Sequence, residues 1–393
     1  MDLEKVKRAV AAELEARREE LIELSLRIHQ NPELGFQEVK ASNWLSDYMS
    51  RNGFKVEKGI CGLATAFRGA YGSGKPRIAL LAEYDALPKV GHGCGHNIIA
   101  ASAVGAGVAA KVAIDQLGGS VVVIGTPAEE LYAAKEIMRQ RGAFDDIDAA
   151  MMIHPDVQDI AGTQALACIS LDVEFFGKAA HASSHPEEGV NALEAMIQAF
   201  NCINSLRQHI KERARIHGII TQGGEAANIV PAYTAASFAV RAEDEAYLDK
   251  LKEKVINCFK AASLATGARL EYKWEEGYYA PMRINMVMAE LFIKNMERLG
   301  RKVKPPLGRP QASTDMGNVS AVVPSIHPYV AIAPPGIQIH SPEFRQAAGS
   351  ETGHRGLIDG ARALAMTLVD LIGQPETMAR VKEEFLAATS SVS

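Results

Sequence analysis

The densest chemistry in the chain lies in Gly91-His92-Gly93-Cys94-Gly95-His96-Asn97, where a thiol and two imidazoles fall within five positions, spaced by glycines. Glycine tolerates the sharp loop that would turn Cys94 and His96 toward one point. Thiolate and imidazole together are ligands for zinc or a similar transition metal. The C-x-H spacing is short, and a glycine-rich turn with incidental histidines explains it as well. Glu129-Glu130 is the second constellation. Neighbouring side chains of an extended segment point opposite ways, so one carboxylate could bind a cation while the other faces a substrate. The plainer reading is a solvated, mildly repulsive pair. His154 follows the apolar Ala149–Ile153, and His340 lies in Gln338-Ile339-His340-Ser341-Pro342-Glu343-Phe344. Each is as consistent with a hydrogen-bonded structural histidine as with a ligand. Taken together, Cys94, His96, Glu130, His154 and His340 supply five donors. With a bridging water, such a set fits two adjacent metal ions, a known arrangement for assisted hydrolysis. Cys94 with a histidine partner could also act as a metal-free thiol nucleophile.

The elements that must position these groups are legible as three short apolar runs that end at them. Arg77–Leu81 leads into Ala82-Glu83-Tyr84-Asp85, Ser120–Gly125 into Thr126-Pro127-Ala128-Glu129-Glu130, and Ala149–Ile153 into His154-Pro155. Between the first two, the small-residue segment 97–116 reads as a buried helix. Strand, helix, strand predicts an α/β domain with a mixed or parallel sheet and helices on its faces. Such sheets bind ligands beyond the carboxyl ends of their strands, which is where these carboxylates and a histidine fall. The first fifty residues read as two helices broken at Asn31-Pro32-Glu33-Leu34-Gly35, since proline disfavours helix in the residue before it. From Leu171 a second rhythm begins: strand, helix 191–210, strands 215–222 and 232–241, helix 244–266 and strand 269–274. That β-α-β-β-α-β order is a ferredoxin-like module. Helix and strand return from Ala280 and end in a long helix, 353–372. The simplest layout is an α/β/α domain with a mixed sheet over 1–167 and 280–393, interrupted by a ferredoxin-like α+β domain over 168–279.

The composition of the 393 residues, 47% hydrophobic and 23% charged, excludes collagen-like and disordered classes. A net charge of −5 argues against a nucleic-acid partner, which calls for a basic balance. No apolar run is expected to approach the roughly 20 residues that span a bilayer, so no membrane partner is expected. The charged amphipathic start lacks the apolar core of a signal peptide. Five cysteines without a CxxC pair fit a reducing compartment rather than a disulfide framework. These features predict a cytoplasmic protein.

Eight stretches carry a resemblance: HQNPELGFQE (29–38), AEYDALP (82–88), GHGCGHN (91–97), GTPAEE (125–130), MMIHP (151–155), GKAAHAS (177–183), NIVP (228–231) and HSPEF (340–344). In this order, over nearly the whole chain, they resemble the co-catalytic di-metal peptidase family that includes aminoacylase, carboxypeptidase G and succinyl-diaminopimelate desuccinylase. Within it the match is to the amidohydrolase branch. GHGCGHN, with Ser313-Thr314-Asp315-Met316-Gly317-Asn318, is similar to the aminobenzoyl-glutamate hydrolase B type and to β-alanyl-lysine dipeptidase-like proteins.

The resemblance implies a metal-dependent amidohydrolase acting on N-acyl amino acids or dipeptide-like amides, such as aminobenzoyl-glutamate or β-alanyl dipeptides. It implies two divalent ions per chain, zinc or manganese first, with cobalt or nickel also suited. Cys94, His96, Glu130, His154 and His340 match the metal ligands, and Glu129 the general base. His181 matches a lid histidine that reaches a neighbouring subunit's site, and Asn228 and Arg241 the lid positions that hold a substrate carboxylate. The inserted domain matches a lid that also forms a homodimer. The chain departs from the pattern at Asn97, where many branch members carry aspartate, and at Glu83, where distant relatives carry a histidine ligand. His185 lies outside the pattern and reads as a surface residue. A silent relative kept as a binding protein is the non-enzymatic alternative.

Overall fold

The computed structural model describes residues 2–390. They divide into two units: one runs to Gln164 and resumes at Met282, and the other is Ala165–Pro281.

The first unit is built on a six-stranded mixed sheet in the order Lys55–Lys58, Phe67–Gly72, Ser120–Thr126, Arg77–Glu83, Ala149–Met151, Ser325–Ile326. The last four strands are mutually parallel, whereas Phe67–Gly72 pairs antiparallel on both sides. Every residue of Ser120–Thr126 is buried, because helices cover the sheet and leave no face for polar alternation. The helix His96–Leu117 packs against the two central strands and against the helices Arg18–Gln30 and Glu351–Gly373. Its small residues make that close packing possible. A Cβ at Gly107 would lie 2.5 Å from Val123 Cγ2, and one at Gly105 would lie 2.6 Å from Leu21 Cδ1. Glycine costs a helix about 1 kcal/mol relative to alanine; here the close approach to sheet and neighbouring helix offsets it.

Four expectations are corrected. Helix His96–Leu117 contains a window of mean hydropathy 1.6, long and apolar enough to cross a membrane by composition, but 89% of that window is buried in the fold. It is a core helix, and alanine and glycine dilute its apolar look in the sequence. The N-terminal region holds three helices, not two: Leu3–Ala16, Arg18–Gln30 and Val39–Arg51. Arg17, at φ −104° and ψ 8°, separates the first pair; its guanidinium bonds Glu13 Oε1 and Asn52 Oδ1, each at 2.7 Å. The strand expected over 149–153 leaves the main sheet after Met151, and His154–Asp156 instead pairs in parallel with Tyr329–Ala331. A further helix, Pro375–Ser390, follows the long C-terminal one.

The second unit is a four-stranded antiparallel sheet in the order Arg269–Tyr279, Ala167–Phe176, Tyr233–Ala242, Arg215–Gln222. Helices Ala192–Leu206 and Glu245–Thr266 complete the ferredoxin-like α+β fold. Alternate residues Leu171, Val173 and Phe175 are buried with Phe238 and Phe259 in its core. Both helices start on capping side chains: Asn191 Oδ1 accepts from Leu193 and Glu194 N–H, and Asp244 Oδ1 from Tyr247 N–H. Such caps satisfy donors that the first helical turn cannot.

Candidate active site

The first unit brings Cys94, His96, Glu129, Glu130, His154 and His340 into one cluster at the carboxyl end of the parallel strands. Donor atoms of Cys94, His96 and His154 lie within 4.8 Å of one another, as do those of Cys94, Glu130 and His340, and those of His96, Glu129 and Glu130. The shared members make these one continuous centre. Its backbone is bent to suit. Gly95 takes φ 81°, so His96 opens the core helix directly after the loop. His340 is held at φ 71°, a region unfavourable for a side-chain-bearing residue, by donating its N–H to Gly93 O at 2.9 Å. Ala128 at φ 56° turns the chain in front of Glu129. Its N–H is fixed by the buried carboxyl of Glu38 at 2.8 Å, which also pairs with the Thr65 hydroxyl at 2.9 Å.

Cys94 Sγ lies 3.3 Å from His154 Nε2, and His154 Nδ1 donates to Pro155 O at 2.7 Å. Nε2 is therefore the free electron pair that faces the centre. His96 Nδ1 is 3.0 Å from Asp85 Oδ1, and Asp85 Oδ2 accepts from Glu130 N–H at 3.0 Å. Asp85 thus orients one imidazole and one carboxylate together, the support that metal-binding histidines ordinarily have. His96 Nε2 and Glu130 Oε1 are buried, 3.7 Å apart, and have no hydrogen-bond partner among the described residues. Two such groups are expensive to leave unsatisfied, and a divalent cation between them would satisfy both. The donor set of one sulfur, three imidazoles and a carboxylate fits two metal ions. Glu130 Oε2 is 3.6 Å from His340 Nε2, whose side chain is 53% exposed, so the cluster opens to solvent on the His340 side.

Burial pushes the Glu129 carboxyl well up, and Glu83, Asp315 and Glu130 push it further, against a smaller opposing pull from His96. That is the direction a general base near neutrality requires. Burial raises Glu130 as well and lowers His154 to about 4. Burial also drives the Cys94 thiol well up. His96 shifts upward although burial opposes it, because the Cys94 sulfur and Asp85 outweigh the desolvation. Asp85 is the partner that keeps its charge, since its own pKa is lowered.

Three groups escape a reading of the sequence. Asp85 falls within the AEYDALP stretch, but no role is assigned to it there. His327, whose ring centroid is 5.6 Å from that of His154, carries no signal. Lys135 is wholly buried and bonds Glu83 Oε1 at 2.5 Å and Asp315 Oδ1 at 2.6 Å. Asn97 is explained: its Nδ2 donates to Ser25 Oγ at 2.9 Å and Ala348 O at 3.1 Å, and an ionised aspartate could not make the bond to the Ala348 carbonyl.

In the second unit His181 and Asn228 lie on adjacent loops, joined by Ala182 N–H to Asn228 O at 3.0 Å. Both are exposed, as is His185. His181 Nδ1 accepts from Ser183 and Ser184 N–H at 3.3 and 3.2 Å, so the neutral ring carries its proton outward on Nε2. Arg241 is not beside them. It sits at the far end of strand Tyr233–Ala242, about 26 Å from Tyr233 at roughly 3.3 Å per residue.

The fold and this cluster define a metal-dependent hydrolase of amide bonds, and the comparisons with known proteins agree. Residues 168–266 match the peptidase dimerisation domain model. The chain is 36% identical to the Xaa-Arg dipeptidase of Mus musculus over 98% of its own length and 93% of that protein's. It is 32% identical to a p-aminobenzoyl-glutamate hydrolase component of Escherichia coli over 72% of this chain and 63% of that protein. Its fold is that of a Bacillus subtilis protein described as a dinuclear metal-binding peptidase of the M20 family, with a TM-score of 0.66 and 20% identity over 91% of this chain and 99% of the other. The chain belongs to the M20 peptidase family.

Proposed function

We propose that this protein cleaves dipeptide-like amides with a free carboxylate, holding two divalent ions on Cys94, His96, Glu130, His154 and His340 and using Glu129 as general base. The observation that carries the reading is the pair of unsatisfied buried atoms, His96 Nε2 and Glu130 Oε1, inside a five-donor cluster beside a carboxyl with a raised pKa. The metals would supply polarisation of the scissile carbonyl and a water nucleophile at neutral pH. Glu129 takes the proton of the attacking water and delivers it to the departing nitrogen, which leaves as an amine. His181, with its outward Nε2–H, would donate to the developing oxyanion; such a donor is worth about 10²–10³ in rate. Arg241 would pair with the substrate carboxylate in bidentate fashion, and Asn228 would add a polar contact. Because the lid carries Arg241 and the His181–Asn228 pair at opposite ends of one strand, a single copy is suited to serve two sites. That supports a homodimer through this domain. The thiolate of Cys94 with three imidazoles suits zinc, while the carboxylates also suit manganese. The long match to Xaa-Arg dipeptidases supports a basic released residue; the shorter one to the aminobenzoyl-glutamate hydrolase component supports an acidic one. Five cysteines without a CxxC pair support a reducing compartment such as the cytoplasm.

The test is elemental analysis paired with a panel of Xaa-Arg and Xaa-Lys dipeptides, aminobenzoyl-glutamate and N-acetyl amino acids. About two metals per chain and chelator-sensitive release of amine from one class are expected. Turnover that survives complete metal removal would overturn the reading and favour Cys94 as a nucleophile.

A further inference from the structure

Beside the candidate metal cluster lies a second acidic group that the mechanism does not use in full. Donor oxygens of Glu83, Glu129 and Asp315 lie within 4.8 Å of one another, a spacing that would suit a cation. Glu83 and Asp315 are both buried, on segments far apart in the sequence. Three carboxylates gathered away from water would repel one another strongly. The Lys135 ammonium reaches this group: its Nζ bonds Glu83 Oε1 at 2.5 Å and Asp315 Oδ1 at 2.6 Å, and its backbone N–H donates to Asp315 Oδ2 at 3.0 Å. Glu129 is near enough to add to the field that keeps the ammonium charged. Glu83 turns its other oxygen to within 3.6 Å of His96 Nε2, so the network touches the cluster from behind. Lys135 sits five residues after Glu130, at the start of helix Ala134–Gln140, and the preceding Ala133 is held at φ 47°. Backbone strain of this kind persists where the surroundings over-determine it; here it delivers the lysine to the acidic group.

We propose that the Lys135 ammonium is a permanent cation of the active centre, occupying the Glu83–Glu129–Asp315 group in place of a divalent ion and so holding Glu129 aligned. Lys135 is a positioning residue, not a proton donor or a substrate contact. The claim about Glu129 rests on the proposed hydrolase reading; the claim about cation occupancy does not. A fixed ammonium has an advantage over a bound ion. It cannot be lost to chelators, and its three N–H directions hold the carboxylates at set angles.

The test measures Mn²⁺ per chain by elemental analysis and by electron paramagnetic resonance titration for the parent, Lys135→Ala and the double variant Lys135→Ala/Asp315→Asn. Lys135→Ala vacates the ammonium position, and one Mn²⁺ beyond the parent's complement is expected. The double variant removes one charge of each sign, so it serves as the folded control even if Lys135→Ala unfolds, and it should keep the parent's complement. With the substrate that the parent cleaves, its kcat should fall at least tenfold with KM within about threefold. Lys135→Ala that folds and binds no additional Mn²⁺, or a double variant with kcat within threefold of the parent, would overturn the proposal. A parent that binds Mn²⁺ but turns over nothing in the panel would count against the hydrolase reading, and the Mn²⁺ stoichiometry would still decide the occupancy.

Discussion

The buried carboxyl of Glu38 makes the stability of the fold depend on pH. That carboxyl pairs with Ala128 N–H and the Thr65 hydroxyl. Burial, helped by the nearby Asp85 and opposed by those hydrogen bonds, raises its pKa from the ordinary 4.5 to about 7. In the folded protein the proton is therefore held more tightly than in the unfolded chain. Stability associated with it is fully present below about pH 4.5 and is lost as the pH rises to about 7. At about 1.4 kcal/mol per pH unit, that interval corresponds to about 3.5 kcal/mol. Glu38→Gln keeps the shape, accepts from Ala128 N–H through Oε1 and donates to Thr65 through Nε2, but does not titrate. Urea denaturation of metal-loaded parent and variant at pH 5, 6, 7 and 8 is the assay. Other ionisations, including those of the metal ligands, are common to both proteins and cancel in the difference. The parent should lose about 2.5 kcal/mol more than Glu38→Gln between pH 5 and 8, with the loss nearly complete only above pH 7. Parallel stability curves for the two proteins would show that Glu38 does not hold its proton more tightly in the folded state.

Three further outcomes follow from the geometry. Asp85→Asn, which weakens the support of His96 and Glu130, should lower metal affinity about 10–100-fold, read by competition with a chromophoric chelator. His181→Ala should cut kcat by about 10²–10³ at unchanged metal content and unchanged melting temperature, because the residue is exposed in the second unit. Gly107→Ala, whose Cβ would meet Val123 Cγ2 at 2.5 Å, should destabilise by about 1–3 kcal/mol through overpacking; the denaturation midpoint reports it.

Much of this architecture is legible in the sequence, and for physical reasons. Arg77–Leu81 and Ser120–Gly125 read as strands because a sheet covered by helices demands unbroken apolar runs. The ferredoxin-like unit reads from its alternation, Leu171, Val173 and Phe175 facing inward. What stays hidden depends on distant partners. Arg17 breaks a helix with no glycine or proline, since its bond to Asn52 lies 35 residues away. Ala149–Ile153 reads as one strand, but the partner that captures His154–Asp156 is Tyr329–Ala331. Lys135 lies in Ala134–Gln140 among charged residues and reads as solvated; only the fold brings Asp315, 180 positions later, to its side chain. Cys94, His96, Glu130, His154 and His340 are recognisable as a set through motif order, while Asp85 and Glu38, which hold that set in place, have no spacing signature of their own.

In the proposed reaction Glu129 moves the proton, and the hydrolysis depends on metals bound by its neighbours. The most direct measurement is turnover of the best dipeptide by Glu129→Gln at full metal loading, with metal content measured on the same sample. An unchanged metal complement is expected, with a rate reduced about 10²–10⁴-fold, the usual range for loss of a general base. A variant that keeps its metal and cleaves at the parent's rate would contradict it.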